Sequence, residues 1–276
     1  MLANNTKKAL RSAARKLLTV GAIIIGVVSV ADTADAQITG IRNTRHNLSA
    51  SNSVAVTAGN TPNKSTAGEI CVFCHTPHGS STTAAAPLWN KVLAAPASYT
   101  VYTSTTLDGT VDLTNSVSLA CLTCHDGTQA MDTVLNAPGS GGYDPSGARM
   151  AGLTWSGSNV DANSGKLLAA AVTNLGNDLS NDHPVGIQYA NSSVGTLDPD
   201  FNLAKQVAGK NVWYVDSGAA KGTANAKDKY DMILYTKNAK PYVECASCHD
   251  PHTDENPTFL RIANTGSAVC LTCHNK

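Results

Sequence analysis

Hydrophobic residues follow no sustained period along most of this chain, where short apolar runs alternate with stretches rich in Ser, Thr, Asn, Gly and Ala. The pattern therefore predicts mostly irregular coil with short helices and a few short strands. Helices are predicted at residues 84–95, 117–124 and 166–175, with a loop at 139–157. Strands are predicted at residues 99–103, 212–215, 232–236 and 242–244.

The longest apolar run, residues 17–31, follows a cluster of basic residues and precedes a small-residue site ending at Ala36. This order is typical of a secretory signal peptide, here residues 1–36. A membrane anchor is the rival interpretation, but the run is shorter than the ~20 residues that a span needs. We expect residues 37–276 to form a secreted protein without a membrane span. The basic residues are Lys7, Lys8, Arg11, Arg15 and Lys16.

All eight cysteines lie in four copies of the motif CxxCH. Zinc ribbons and redox dithiols also use CxxC pairs, but neither requires a histidine directly after each pair. Histidine is 8 of 276 residues, so its presence after all four pairs by chance is roughly one in a million. The motif instead indicates covalent haem c, with thioethers to both cysteines and iron bound by the histidine. The four sites are Cys71/Cys74/His75, Cys121/Cys124/His125, Cys245/Cys248/His249 and Cys270/Cys273/His274.

The composition indicates that folding of this chain depends on its haems. Residues 37–276 provide 240 residues for four haems, with few aromatic side chains. Such a chain cannot bury a conventional core of this size by itself, so the porphyrins are expected to supply much of the apolar surface. The same residues carry 15 Lys or Arg against 18 Asp or Glu, so the charge balance does not suggest the basic surface expected of a nucleic-acid-binding protein.

Four histidines lie outside the motifs, and four irons need a second axial ligand. These candidates for the distal position are His46, His78, His183 and His252. Each alone could be a solvated loop residue, but the equal counts favour ligation. Three methionines are further candidates, although a lone Met more often packs than binds metal. These are Met131, Met150 and Met232.

His78 and His252 each follow a motif histidine by three residues, across Pro77 or Pro251. Histidines at that spacing project to one side, whereas the two axial ligands of one iron approach from opposite faces. Each must therefore reach a second haem, which brings two porphyrins close together. Ligation by two histidines closes the iron to substrate, so electron transfer is expected rather than catalysis.

The motif CxxCHxPH occurs twice, and each copy is followed by a plain CxxCH. This repetition predicts two diverged di-haem units, about residues 37–130 and 181–276.

The ordered motifs CVFCHTPH (71–78), CLTCHDGT (121–128), NDHPVG (181–186), VECASCHDPH (243–252) and CLTCHNK (270–276) resemble multihaem cytochromes with doubled CxxCH motifs. Among these, the chain looks most like the OmcE-type tetrahaem cytochromes, which polymerise outside the cell into conductive filaments. The resemblance implies a fold wrapped around four stacked c-type haems, all bis-His ligated. It also implies that one distal histidine is donated to a haem of the neighbouring subunit. His46, on an unanchored arm, is the favoured donor, and His183 is the alternative.

Two other functions compete with the filament subunit. The first is a soluble periplasmic electron shuttle with the same ligation, which would dock transiently to redox donor and acceptor proteins. The second is a haem reductase with one open iron. Native material that contains only monomers would favour the shuttle over the filament. A high-spin, five-coordinate iron would support the enzyme.

Overall fold

The computed structural model describes residues 40–139, 142–218 and 227–275, so the predicted signal peptide lies outside the described residues. The residues described from Ile41 onwards belong to one compact unit. Within these ranges no helix is long and apolar enough to cross a membrane. The α-helices are α1 (Ser118–His125), α2 (Cys245–Cys248) and α3 (Ala268–Cys273). The 3-10 helices are Cys71–Phe73, Pro96–Ser98, Pro257–Phe259 and Thr265–Ser267.

Each CxxCH motif lies on one short helical turn. The backbone N–H of His75 donates to the carbonyl of Cys71 at 2.8 Å, and that of His274 donates to Cys270 at 2.9 Å. Residues three and four apart share one face of a helix. One turn therefore presents both thiols and the imidazole of a motif on the same side. The predicted helix at 117–124 is confirmed as α1, which begins and ends one residue later.

A five-stranded antiparallel sheet lies before the third motif, with strand order β5-β9-β8-β7-β6. Its buried core includes Trp213, Met232 and Leu234. Three predicted strands are confirmed as β7, β8 and β9, and β9 leads directly into α2. The strands are β5 (Ile187–Gln188), β6 (Lys205–Gln206), β7 (Trp213–Val215), β8 (Met232–Lys237) and β9 (Lys240–Val243).

A second core lies beside the first two motifs, where Phe73 and Trp155 meet edge to face at 5.9 Å between ring centroids. The antiparallel pair of β2 and β3 and the short pair of β1 and β4 surround this core. The prediction of a loop at 139–157 was therefore wrong, because β3 and β4 lie in that segment. The strands are β1 (Lys64–Ser65), β2 (Thr133–Asn136), β3 (Tyr143–Arg149) and β4 (Trp155–Ser156).

Two predicted helices and one strand are absent from the described chain. Residues 84–95 and 166–175 form turns and coil, and 99–103 makes a single bridge, between Thr100 and Asp178. The physical reason is visible in the hydrogen bonds. Pro87 and Thr173 each direct a carbonyl at a motif histidine instead of into a helical ladder. These segments orient motif histidines rather than forming regular structure.

Candidate haem-binding site

Three motif histidines are oriented by a backbone carbonyl at the Nδ1 position. His75 contacts the Pro87 oxygen at 2.9 Å, His125 the Thr173 oxygen at 2.8 Å and His249 the Thr258 oxygen at 2.7 Å. A carbonyl can only accept, so Nδ1 carries the proton in each ring. Nε2 is then left with its lone pair free, as a metal ligand requires.

Two of the four distal candidates are oriented in the same way. His46 Nδ1 donates to the Pro251 oxygen at 3.1 Å, and His183 Nδ1 donates to the Pro184 oxygen at 3.0 Å. His252 differs, because its Nδ1 faces the carboxylate of Asp250 at 3.3 Å. Burial lowers the pKa of His46 to about 4, so this ring is neutral and can bind a metal at neutral pH.

The structure brings three distal candidates close to motif histidines. The ring centroids are 6.1 Å apart for His46 and His125, and 6.3 Å apart for His75 and His252. The centroids of His183 and His274 are 6.5 Å apart. Each pair joins residues that are remote in the sequence. The pairs could not be assigned from spacing, because it is the fold that brings their elements together.

These separations fit one iron between each pair of rings. A metal–imidazole nitrogen bond is about 2.0 Å long and the nitrogen lies roughly 1.1 Å from the ring centre, so rings on opposite faces of one iron have centroids about 6.2 Å apart. The interplanar angles range from 18° to 81°. Both extremes are compatible with ligation, since each ring can rotate about its own iron–nitrogen bond.

Exposed apolar side chains beside the motif histidines also fit bound porphyrins. Val172 is 93% exposed and adjoins Thr173, whose carbonyl orients His125. Leu271 is 45% exposed and lies between the two cysteines of the fourth motif. A porphyrin attached at these sites would remove such side chains from water.

His78 and His249 have no such counterpart among the described residues. Both residues are exposed. The backbone at His78 is nevertheless fixed by hydrogen bonds. The His78 carbonyl accepts from Thr76 Oγ1 at 2.8 Å and from Asn136 Nδ2 at 2.7 Å. Gly79 follows at φ +65°, and a Cβ there would lie 2.6 Å from the Tyr143 ring. The loop thus presents the His78 imidazole outwards from a rigid base.

A family model of the doubled CXXCH motif matches residues 240–276, which include the third and fourth motifs. The match indicates a haem-binding electron-transfer cytochrome of the c type. A search of the curated proteins gives no match to the chain.

The surroundings of the cysteines show which motifs lie close together. Cys74 and Cys124 pack against the core around Phe73, and Cys248 and Cys273 pack against the core around Trp213. Between these two groups, the thiols of Cys121 and Cys245 are close enough to interact, which raises the pKa of Cys121 and lowers that of Cys245. The first and second motifs therefore share one core, and the third and fourth motifs share the other.

A buried carboxylate, which the sequence did not single out, joins the second site to the third. Glu244 is 3% exposed, and its Oε2 accepts hydrogen bonds from the hydroxyls of Ser116 and Ser118. Ser118 Oγ in turn accepts from the Cys245 N–H at 2.9 Å. Burial raises the pKa of Glu244 against the opposing effect of these serines. The network fixes α1 against the start of α2.

The three methionines lie in the apolar cores. Met131 and Met150 belong to the core around Phe73, and Met232 belongs to the core around Trp213. Each is at most 8% exposed. Their surroundings favour packing over iron ligation, in agreement with the more common role of a lone Met.

Proposed function

We propose that this chain is a secreted tetrahaem electron-transfer protein, and that its copies assemble head to tail into a conductive extracellular filament. One observation carries the proposal: three imidazole pairs form within the chain, and His78 and His249 are left over. If copies exchange an iron ligand, each copy must offer one exposed histidine and must contain one motif histidine that lacks a second ligand. His78 and His249 meet these two requirements. The predicted signal peptide supports export.

Haem c would supply an iron that changes between the ferric and ferrous states by one electron. The chain's residues would hold it by the cysteine pairs and orient both imidazoles through their Nδ1 bonds. With a histidine on each face, no position remains for a reactant. The arrangement therefore supports transfer of electrons between neighbouring haems rather than chemistry at an iron.

The two CxxCHxPH segments support a reciprocal exchange. His252 follows His249 by three residues but faces His75, so the third segment reaches from its own haem to the first. By the same spacing, His78 would reach from the first haem to a second one. Among the described residues, His249 is the remaining motif histidine, so we assign the iron of His249 in a neighbouring copy to His78.

This assignment replaces the donor favoured by the sequence. His46 faces His125, and the alternative His183 faces His274, so each has a motif histidine within its own chain. His78 takes the role of the donated ligand because its ring is exposed on a rigid loop. The surface that carries His78 differs from the surface that carries His249, so the contact between copies is heterologous. Repeated contacts of this kind produce a filament when they do not close into a ring.

The same observation supports a second candidate function. If copies do not assemble, the iron of His249 has an open face in the monomer. The protein would then bind a small ligand there, and a reductase activity becomes possible. A monomer whose four irons are all closed would instead favour the periplasmic shuttle.

The decisive experiment compares wild-type holoprotein with His78→Ala, using Thr82→Ala as a nearby exposed control. Electron microscopy and sedimentation report assembly, and low-temperature paramagnetic resonance reports the spin state of each iron. We expect filaments and low-spin irons in the wild type and control, and monomers with one high-spin iron in His78→Ala. Filaments of His78→Ala with four low-spin irons would contradict the assignment. A wild type that stays monomeric would contradict the filament.

A further inference from the structure

Lys91 is a fully buried lysine, with 0% of its surface exposed. Its Nζ donates to the carbonyl oxygens of Met131 at 2.8 Å, Thr133 at 2.7 Å and Ala130 at 3.3 Å. Within the described ranges, no carboxylate lies within 4.0 Å of this nitrogen. The haem ligation set does not use this residue, and a buried cation without a counter-ion is costly enough to require an explanation.

The geometry fixes the charge of Lys91. An ammonium has three hydrogens and can donate one to each carbonyl. A neutral amine has two hydrogens, and its lone pair would face the third carbonyl oxygen, which also carries lone pairs. The three carbonyls therefore select the protonated form. Lys91 therefore places a positive charge in the protein interior.

This charge lies beside the attachment of the first haem. Asn90, the preceding residue, donates its N–H to the Cys74 carbonyl at 2.8 Å and its side-chain amide to the Val72 carbonyl at 2.7 Å. Burial raises the pKa of the Cys74 thiol to about 12, Cys124 adds to the rise, and the Lys91 ammonium opposes it. The field of the ammonium is thus felt at Cys74.

We propose that Lys91 sets the reduction potential of the haem attached at Cys71 and Cys74, by stabilising its ferrous state. Reduction adds one electron to a ferric iron, and in a titration dithionite supplies that electron. A fixed cation in a low-dielectric interior attracts the added negative charge. No proton moves in this step, because Lys91 is protonated before and after it.

The inference rests on the part of the proposed function that places haem at the first motif, and it does not depend on filament assembly. Spectroelectrochemical titration of the holoprotein should therefore resolve the four midpoint potentials in wild type, Lys91→Met and Lys91→Gln. Lys91→Gln keeps two hydrogens for the carbonyls and so protects the fold. Lys166→Met removes an exposed lysine and serves as the control.

We expect one midpoint potential to fall in both Lys91 variants, with a tenfold loss in the equilibrium constant for reduction, which is 59 mV for a one-electron couple. The other three midpoint potentials should change less, and all four potentials of Lys166→Met should match the wild-type values. The inference would be overturned if all four midpoint potentials of the Lys91 variants stayed unchanged or fell equally. Such a result would leave the proposed function intact, provided that four haems are bound. A wild type with fewer than four covalent haems would instead overturn the proposed function.

Discussion

His75 and His252 lie with ring centroids 6.3 Å apart and ring planes at 18° to each other, although they belong to the first and third motif segments. The contact joins the early part of the chain to its carboxyl-terminal part through one site. An iron held here would depend on both parts being folded together. The same contact explains why a short segment after His249 can bring two haem sites close to each other.

Replacing His252 tests this pairing directly. In His252→Ala, the iron bound by His75 should lose one axial ligand, become high-spin and take up carbon monoxide. Absorption and paramagnetic resonance spectra of the holoprotein measure both changes. Asp254→Ala, an exposed neighbour, should leave every iron low-spin. Four low-spin irons in His252→Ala would show that His252 is not an iron ligand.

Asp250 should tune the haem that His252 serves. Its hydrogen bond with His252, more than any other influence, lowers the pKa of Asp250 to about 2, so the carboxylate is ionised at neutral pH. A carboxylate behind an imidazole makes the ring a stronger donor and favours the ferric state. Asp250→Asn should therefore raise one midpoint potential by roughly 30–60 mV, a three- to tenfold change for a one-electron couple. Asp254→Asn is the matched control, and equal potentials in the two variants would refute this role.

Glu244 should make stability depend on pH. Burial raises its pKa, so the folded state keeps a proton at pH values where the unfolded state has released it. Stability should then decrease as pH rises above about 4.3, the ordinary value for an unfolded glutamate. Glu244→Gln cannot ionise and should lose this decrease. Guanidinium unfolding midpoints measured across this range provide the comparison.

Two further variants complete the test of Glu244. Glu69→Gln changes an exposed glutamate and should keep the wild-type pH profile. Glu244→Ala removes the acceptor of the Ser116 and Ser118 hydroxyls and should lower the free energy of unfolding by about 1–3 kcal/mol. A Glu244→Gln profile that matches the wild type would assign the pH dependence to other groups.

Asp132 should stabilise the backbone that surrounds Lys91. Its buried carboxylate accepts from Arg149 Nε at 2.9 Å and from Trp155 Nε1 at 3.2 Å. Asp132→Ala leaves both donors without this acceptor and should lower the free energy of unfolding by about 1–3 kcal/mol. Asp108→Ala, at an exposed position, should change it little. Equal denaturation midpoints for the two variants would contradict the expected role.

The local sequence pattern was sufficient to predict a motif, helix or strand that lies within one short segment. The CxxCH motifs, helix α1 and the strands β7, β8 and β9 could each be predicted from consecutive residues. The predicted helices at 84–95 and 166–175 were wrong for the opposite reason. The backbone carbonyls of Pro87 and Thr173 accept from histidines 12 and 48 residues away, outside the predicted helices, and no local propensity contains that information.

The sequence by itself determined the candidate chemistry of this protein: four CxxCH motifs and eight histidines, because CxxCH places its thiols and imidazole within one helical turn. Only the tertiary structure decided which histidines face each other, that His78 and His249 lack such a counterpart in the described chain, and that Lys91 is buried. The physical reason is distance. A second axial ligand and a buried charge act across a few ångströms in space, and the fold alone brings remote parts of the chain that close.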